Sequence, residues 1–284
     1  MTAMDTALAG LIDYAGLYPP AALDMGAAVR SYLDYSNSKH ASALGRFIVD
    51  LNRLTALRAV AGDSLLDLRL SVICPINAEW ETLPAFIDEG FPIESIEIKT
   101  DQPSDIDRIS RRIPSAVTAY FEVPAHVDSV KALDAISAAR GRVKLRMGGV
   151  VAEAFPSAEV VAGMLKALSD RGLSFKATAG LHHPIRSRHP FTCAPDSPAG
   201  TMHGFVNLLC AAALIHCGGD SKDARHVLDE ESQSAWQVGA ETVGWRSFQW
   251  RADQLREVRQ RFFISFGSCS FVEPMNDLEA LGWL

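Results

Sequence analysis

A chain of 284 residues, 48% apolar and 21% charged, is long enough to bury a large core and falls in the range of a single α/β barrel. Its formal charge of -7 excludes a general binder of phosphate backbones, which needs a positive stripe, so nucleic acid is not an expected partner. Five scattered cysteines, Cys74, Cys193, Cys210, Cys217 and Cys269, show no C-x-x-C spacing; neither a disulfide framework nor a zinc knuckle is indicated, and reduced thiols in a cytosol fit.

The N-terminal stretch carries Asp5 and Asp13 and lacks a basic start leading into an apolar run, so it does not read as a signal peptide. From there, short apolar or β-branched runs each end in a polar residue, Gly or Pro: 11–17, 45–51, 68–74, 95–100, 117–123, 142–147, 173–178 and 262–267, eight in all. Between them, 25–35, 54–61, 78–88, 104–112, 129–139 and 157–171 carry apolar residues at helical spacing. Ser157 and Glu159 supply a cap and a first-turn acid for the last of these. Eight strands alternating with helices predict an α/β fold: one domain over 1–284, a (β/α)8 TIM barrel whose active groups gather at the carboxyl ends of strands.

The alternation breaks once, between strands seven and eight. About eighty residues, 181–260, stand where a barrel needs a short loop and one helix. They open with His182-His183-Pro184-Ile185-Arg186-Ser187-Arg188-His189-Pro190, pass through an apolar helix around 202–216, and end in a Trp-bearing segment, 236–260, read as helical. This long helical insertion suits a lid or a subunit contact, so a homo-oligomer is compatible with it. The apolar stretch 205–215 contains Asn207 and is too short to span a bilayer; no membrane partner is expected, and a cytoplasmic protein is.

Two lysines end consecutive strands ahead of glycine, in Arg142-Val143-Lys144-Leu145-Arg146-Met147-Gly148-Gly149 and in Ser174-Phe175-Lys176-Ala177-Thr178-Ala179-Gly180. About thirty residues separate them, the span of one βαβ step. Residues two apart on a strand share a face, so Glu97 with Lys99, and Lys144 with Arg146, point the same way. Helix-covered strand faces are apolar, which turns Glu97, Lys99, Glu122, Lys144, Arg146 and Lys176 inward to the barrel mouth. Two ammonium groups about 5 Å apart at an effective dielectric near 20 repel by roughly 3 kcal/mol, which lowers one pKa by about 2. The amine so freed attacks a carbonyl to form an iminium, whose positive nitrogen lets a neighbouring C–C or C–H bond break. Glu97 and Glu122 are placed to move protons, and Arg146 and Lys99 to meet an anionic group.

The order of these motifs resembles the deoxyribose-phosphate aldolase group of class I aldolases, eight-stranded barrels with an imine-forming lysine on strand six and a second lysine on strand seven. Leu11-Ile12-Asp13-Tyr14-Ala15-Gly16-Leu17 is similar to the group's opening Ile-Asp-His-Thr-Leu-Leu, and Ser95-Ile96-Glu97-Ile98 lies where the group has an acid on strand four. Lys144 to Gly148 resembles its Lys-Thr-Ser-Thr-Gly, Lys176 to Gly180 its Lys-x-Ala-Gly-Gly, and Phe266-Gly267-Ser268-Cys269-Ser270 its final Gly-x-Ser-Ser turn. The resemblance runs from about residue 11 to 180 and resumes at 262. It implies that Lys144 forms the imine, Lys176 tunes it, Glu97 assists proton transfer, and Gly180, Gly267 and Ser268 offer backbone and hydroxyl groups to a phosphate. The chain departs from the group at Glu97, where the group has aspartate, at Arg146, where it has a small hydroxyl residue, and at Leu181, where it has a second glycine; Lys99 and the long insertion have no counterpart.

The leading expectation is a Schiff-base aldolase or lyase that uses no cofactor or metal and acts on a small anionic carbonyl compound, a sugar phosphate or keto acid. His182 and His183 face the substrate in this reading, although a surface loop with ordinary histidines is the commoner outcome. A second reading is a metal-dependent lyase or isomerase with Glu97, Glu122 and one of His182, His183 and His203 as ligands. A third is a non-catalytic barrel holding an anionic metabolite. Cys269 reads as a buried thiol, since no base is fixed beside it by sequence. His203 and Asn207 read as a core hydrogen-bond pair, and Trp236, Trp245 and Trp250 as packing residues.

Overall fold

Parallel strands covered by helices must bury apolar residues on their outer face, and the alternation in the sequence places the strands accordingly. In a computed structural model describing residues 2–80, 82–125, 129–192 and 196–284, the first seven strands are β1 (Ile12–Tyr14), β2 (Leu44–Asp50), β3 (Leu70–Cys74), β4 (Ile93–Lys99), β5 (Thr118–Pro124), β6 (Arg142–Arg146) and β7 (Phe175–Thr178). With a later strand, β13 (Phe263–Ser268), they close a parallel barrel in which each pairs with its neighbour and β13 pairs with both β7 and β1. Outward residues such as Ile96, Ile98, Phe121, Val123, Val143, Leu145, Phe175 and Ala177 are buried without exception. The first strand is shorter than expected. Only three residues pair, and Ala15 N then bonds Ser268 O at 2.7 Å as the chain turns over the mouth.

Helices α2 (Met25–Ser36), α3 (Leu54–Ala61), α4 (Thr82–Asp88), α5 (Pro103–Ser110), α6 (Val130–Ala138) and α7 (Ala158–Asp170) fill the steps between consecutive strands. The expected cap holds: Ser157 Oγ accepts from Val160 N at 3.3 Å. Before the barrel, α1 (Ala3–Leu8) starts with a capping box, in which Asp5 N donates to Thr2 Oγ1 and Thr2 N to Asp5 Oδ2. After it, α11 (Val272–Ala280) follows β13. Neither was expected from the sequence.

Between β7 and β13 the chain is more varied than a helical insertion. A hairpin, β8 (Ser187–Pro190) with β9 (Ala199–Met202), leads to α8 (Phe205–His216), buried along eleven of its twelve residues, and to α9 (Ser221–Asp229). The expected Trp-bearing helix is corrected: β10 (Trp236–Val238), β11 (Thr242–Trp245) and β12 (Phe248–Arg251) form an antiparallel sheet, and only α10 (Ala252–Arg261) is helical. Trp245 pairs with Trp236 and Phe248, so large apolar residues meet across strands with period two, which a helix would scatter. Asn207 fixes this region to α8: its amide oxygen accepts from Arg186 N at 2.9 Å and its NH2 donates to Val227 O and Glu230 O at 2.7 and 2.8 Å.

At the amino end of the barrel the buried Arg259 of α10 donates to the carbonyls of Ala7, Ala9, Phe263 and Ile264. One side chain thereby ties the residues after α1 to the last strand. Cys74, Cys210, Cys217 and Cys269 are free thiols; Cys193 lies outside the described residues. Among the described residues no helix is long and apolar enough to cross a membrane.

Candidate active site

The inward faces of β1 and β4 to β7 carry a row of alternating charge. Asp13 Oδ2 contacts Lys176 Nζ at 2.5 Å, Lys176 reaches Glu97 Oε1 at 2.7 Å, and Glu97 Oε2 lies 2.8 Å from Lys144 Nζ. Lys144 also meets Glu122 Oε2 at 2.8 Å, and Glu122 Oε1 meets Arg146 at 2.8 Å. Three acids and three bases thus balance across the barrel. The register explains the spacing, since Glu122, Lys144 and Lys176 are partners on adjacent parallel strands about 4.8 Å apart.

Burial makes each of these contacts matter. Asp13, Glu97 and Lys176 are sealed from solvent, and an unpaired charge there would cost several kcal/mol. Hydroxyl groups add bonds to one oxygen of each buried acid: Ser265 donates to Asp13 Oδ2 and Ser71 to Glu97 Oε1, each at 2.7 Å, while Ser95 donates to Ser71 at 2.9 Å. The Arg46 N–H adds a bond to Asp13 Oδ1 at 2.7 Å. Burial pushes the Glu97 pKa up, but the Lys144 and Lys176 ammonium groups outweigh it and hold the carboxyl well below the usual range. Burial likewise depresses the Lys176 pKa, yet Asp13 and Glu97 raise it above that of an ordinary lysine. Glu122 is also lowered, against its burial, by Lys144 and Arg146.

Lys176 is therefore a permanent cation, not an amine freed by repulsion. The expected ammonium pair is bridged by a carboxylate, so repulsion between the two lysines does not free Lys176. Lys144 differs. It lines a cavity of about 290 Å³ at the barrel mouth, with Glu97, Arg146, Thr178, Tyr18 and His182 around it. Its contact with Glu97 Oε2 is a charge contact without hydrogen-bond alignment, for that oxygen has no hydrogen-bond partner among the described residues. The Tyr18 hydroxyl, buried beside the cavity, has none either; burial and then the Asp50 carboxylate push its pKa up and keep it neutral.

Of the residues singled out from sequence, Glu97, Lys144, Arg146, His182 and Gly267 line this cavity, and Lys176 and Glu122 support it from the row. Lys99 does not join them. It is exposed and lines an adjoining cleft of about 460 Å³, which shares Glu122 and Arg146 with the row. Gly180 is absent from the lining too. At φ +67° it occupies backbone space open to glycine, and a Cβ there would sit 2.5 Å from the Phe155 ring. Ser268 turns away, its Oγ accepting from Ser270 N at 3.3 Å. His183 bonds Asp277 Oδ2 at 2.6 Å in an outer cleft of about 570 Å³. The carboxylate and histidine set expected for a metal is not assembled: His203 Nε2 faces Pro156 O at 2.7 Å, and no group of three His, Cys, Asp or Glu among the described residues is placed to hold an ion.

Asp13, Tyr18, Ser71 and Ser265 are site residues that sequence reasoning did not assign. A signal existed for Asp13, an acid inside the apolar run 11–17, and for Ser265, a hydroxyl inside Phe263-Ile264-Ser265-Phe266. Tyr18 lies in an irregular loop, where no period marks its direction. No protein-family model and no curated protein matches the chain. Its chemistry is accordingly read from the residues themselves.

Proposed function

We propose that this barrel is a Schiff-base-forming aldolase or lyase acting on a small anionic carbonyl compound, with Lys144 as nucleophile. The observation that carries this reading is the placing of Lys144 between two carboxylates while its ammonium opens on the mouth cavity. Lys144 passes a proton to Glu122, the carboxylate it does not share with Lys176. Once the lysine is neutral, the cation that depressed the carboxyl is gone, so the acid can hold the proton. The amine adds to the carbonyl carbon, the oxygen takes up a proton, and loss of water leaves an iminium. A C–C or C–H bond of the carbon adjacent to the iminium carbon then breaks, its electron pair passing into an enamine while the other fragment leaves as an aldehyde or a proton, and protonation of that carbon restores an iminium. Hydrolysis returns the lysine.

Lys176 takes no part as a nucleophile. Its fixed charge keeps Glu97 ionised and oriented. Arg146, 43% exposed at the rim, suits the anionic group of the substrate. The deoxyribose-phosphate aldolase group is the nearest chemistry suggested by the motifs, with the phosphate contact left to Arg146 and the backbone at Gly267. Cations fill the spaces between the three carboxylates, which favours imine chemistry over a carboxylate-held metal.

Borohydride reduction in the presence of small aldehydes, keto acids and sugar phosphates tests this directly. The expected result is a stable adduct on Lys144, located by peptide mass; an adduct confined to other lysines, or none with any carbonyl, rejects the proposal. Lys144→Met separates catalysis from mere binding: turnover should vanish while the anion still binds.

A further inference from the structure

The last barrel strand ends in a second nucleophile that the lysine chemistry leaves unused. Cys269 follows β13, and its Sγ lies 3.8 Å from His182 Nε2; on the other side of the imidazole, Nδ1 lies 2.8 Å from Glu273 Oε2. Thiol, imidazole and carboxylate thus stand in line, each positioning the next, as nucleophile activation requires. Three elements build the line. Cys269 leaves the strand, His182 comes from the loop after β7, and Glu273 belongs to the first turn of α11, where its N–H is anchored to Ser270 Oγ at 3.1 Å. The nine-residue α11 begins three residues beyond Cys269, so its amino-terminal dipole also favours a thiolate.

Access supports the same reading. Cys269 is 9% exposed, and Cys269 and His182 line both the mouth cavity and the outer cleft, so they stand at the junction of the two. Other groups face the line from each side. Asp277 of α11 holds His183, whose ring stacks on His189 with centroids 3.4 Å apart; Tyr14 approaches from β1, and Lys144, Arg146 and Glu97 lie across the mouth. Burial lowers the His182 pKa, but Cys269 and Glu273 outweigh it and lift it to about 10.

We propose that Cys269, His182 and Glu273 form a second covalent site, at which the thiol adds reversibly to small aldehydes entering the mouth. In that step a bond forms between Sγ and the carbonyl carbon, the C=O π bond breaks, and the oxygen takes the proton from His182 Nε2. A thiohemiacetal and a neutral imidazole result, with no change in oxidation state. Reversal returns both. The site stands on its own geometry and does not require Lys144 to form an imine.

Site-resolved alkylation by iodoacetamide, read by peptide mass from pH 5.5 to 9, provides the test, with the exposed Cys217 as internal reference. At pH 6 an ordinary thiol is about 0.3% thiolate, so Cys269 is expected to react about tenfold faster than Cys217 despite its lower exposure, with a rate that stays flat to pH 8. His182→Gln should restore the ordinary rise with pH and cut the rate at pH 6 about tenfold; His182→Asn serves if that variant does not fold. Glycolaldehyde should protect Cys269 equally in the native chain and in Lys144→Met, or in Lys144→Arg should the former not fold. Cys269 reacting no faster than Cys217, an unchanged rate in both His182 variants, or no protection by the aldehyde in the lysine variants would each overturn the proposal. A lost imine adduct at Lys144 with protection of Cys269 intact would reject the lysine mechanism alone.

Discussion

Lys144 and Lys176 sit opposite each other on neighbouring strands and share Glu97, yet one borders a cavity and the other is sealed beneath it. At the rim, Lys144 keeps a path to solvent through a cavity with an exposed arginine at its edge. On the floor, Lys176 has two carboxylates, an aromatic ring 5.5 Å from its ammonium and no exit. Each lysine lies between two carboxylates, so pairing alone does not tell them apart; access to the mouth cavity does, and under the proposed function it is what assigns the chemistry to Lys144.

Breaking the rim should cost catalysis most. Lys144→Met is expected to lower kcat/KM by about 10⁴-fold or more, measured by the appearance of aldehyde product, with the borohydride adduct lost as well. Breaking the floor should cost stability instead: Lys176→Met takes from buried Asp13 its closest cation and leaves Glu97 with Lys144 alone, a loss of about 3–5 kcal/mol in urea denaturation. Should Lys176→Met cost turnover without stability, the division between floor and rim fails. Glu122→Gln removes one proton acceptor and is expected to reduce kcat by about 10²-fold while Lys144 still traps the substrate. Arg146→Gln, the mildest change, should raise KM for the anionic substrate about tenfold and leave kcat nearly unaltered.

Acidity sharpens the contrast. The depressed Glu97 carboxyl contributes stability above its unfolded pKa of about 4.3, lost as pH falls through the folded value. The raised Lys176 ammonium contributes below about 10.4, lost as pH rises through its folded value. The native chain should hold its denaturation midpoint between about pH 5 and 9 and lose it on either side.

Much of the barrel was legible because its outer faces repeat a simple apolar alternation, and the charged ends of β4 to β6 stand out against it. Lys144, Glu97 and Glu122 could be placed on one face by parity alone. What parity does not carry is the direction of a pKa. That depends on Asp13, which reaches Lys176 across the closed ring from the far end of the chain. The sheet of Trp236, Trp245 and Trp250 was misread because its strands are three or four residues long, too few to separate period two from a helical turn. The Cys269–His182 contact was invisible for a plainer reason: the two residues are 87 apart and meet only when β7 and β13 pair.

The pairing of β1 with β13, fastened below by Arg259, also sets a schedule for synthesis. Asp13 emerges from the ribosome well before its partners Lys176 and Ser265, which lie 163 and 252 residues further along the chain. Until then a carboxylate destined for full burial remains hydrated at an open sheet edge, and the nascent barrel can hold neither its seam nor its charge row. Premature release of a chain lacking residues 263–268 should therefore yield an open, aggregation-prone sheet, with Asp13 as a barrier against closing early on the wrong strand.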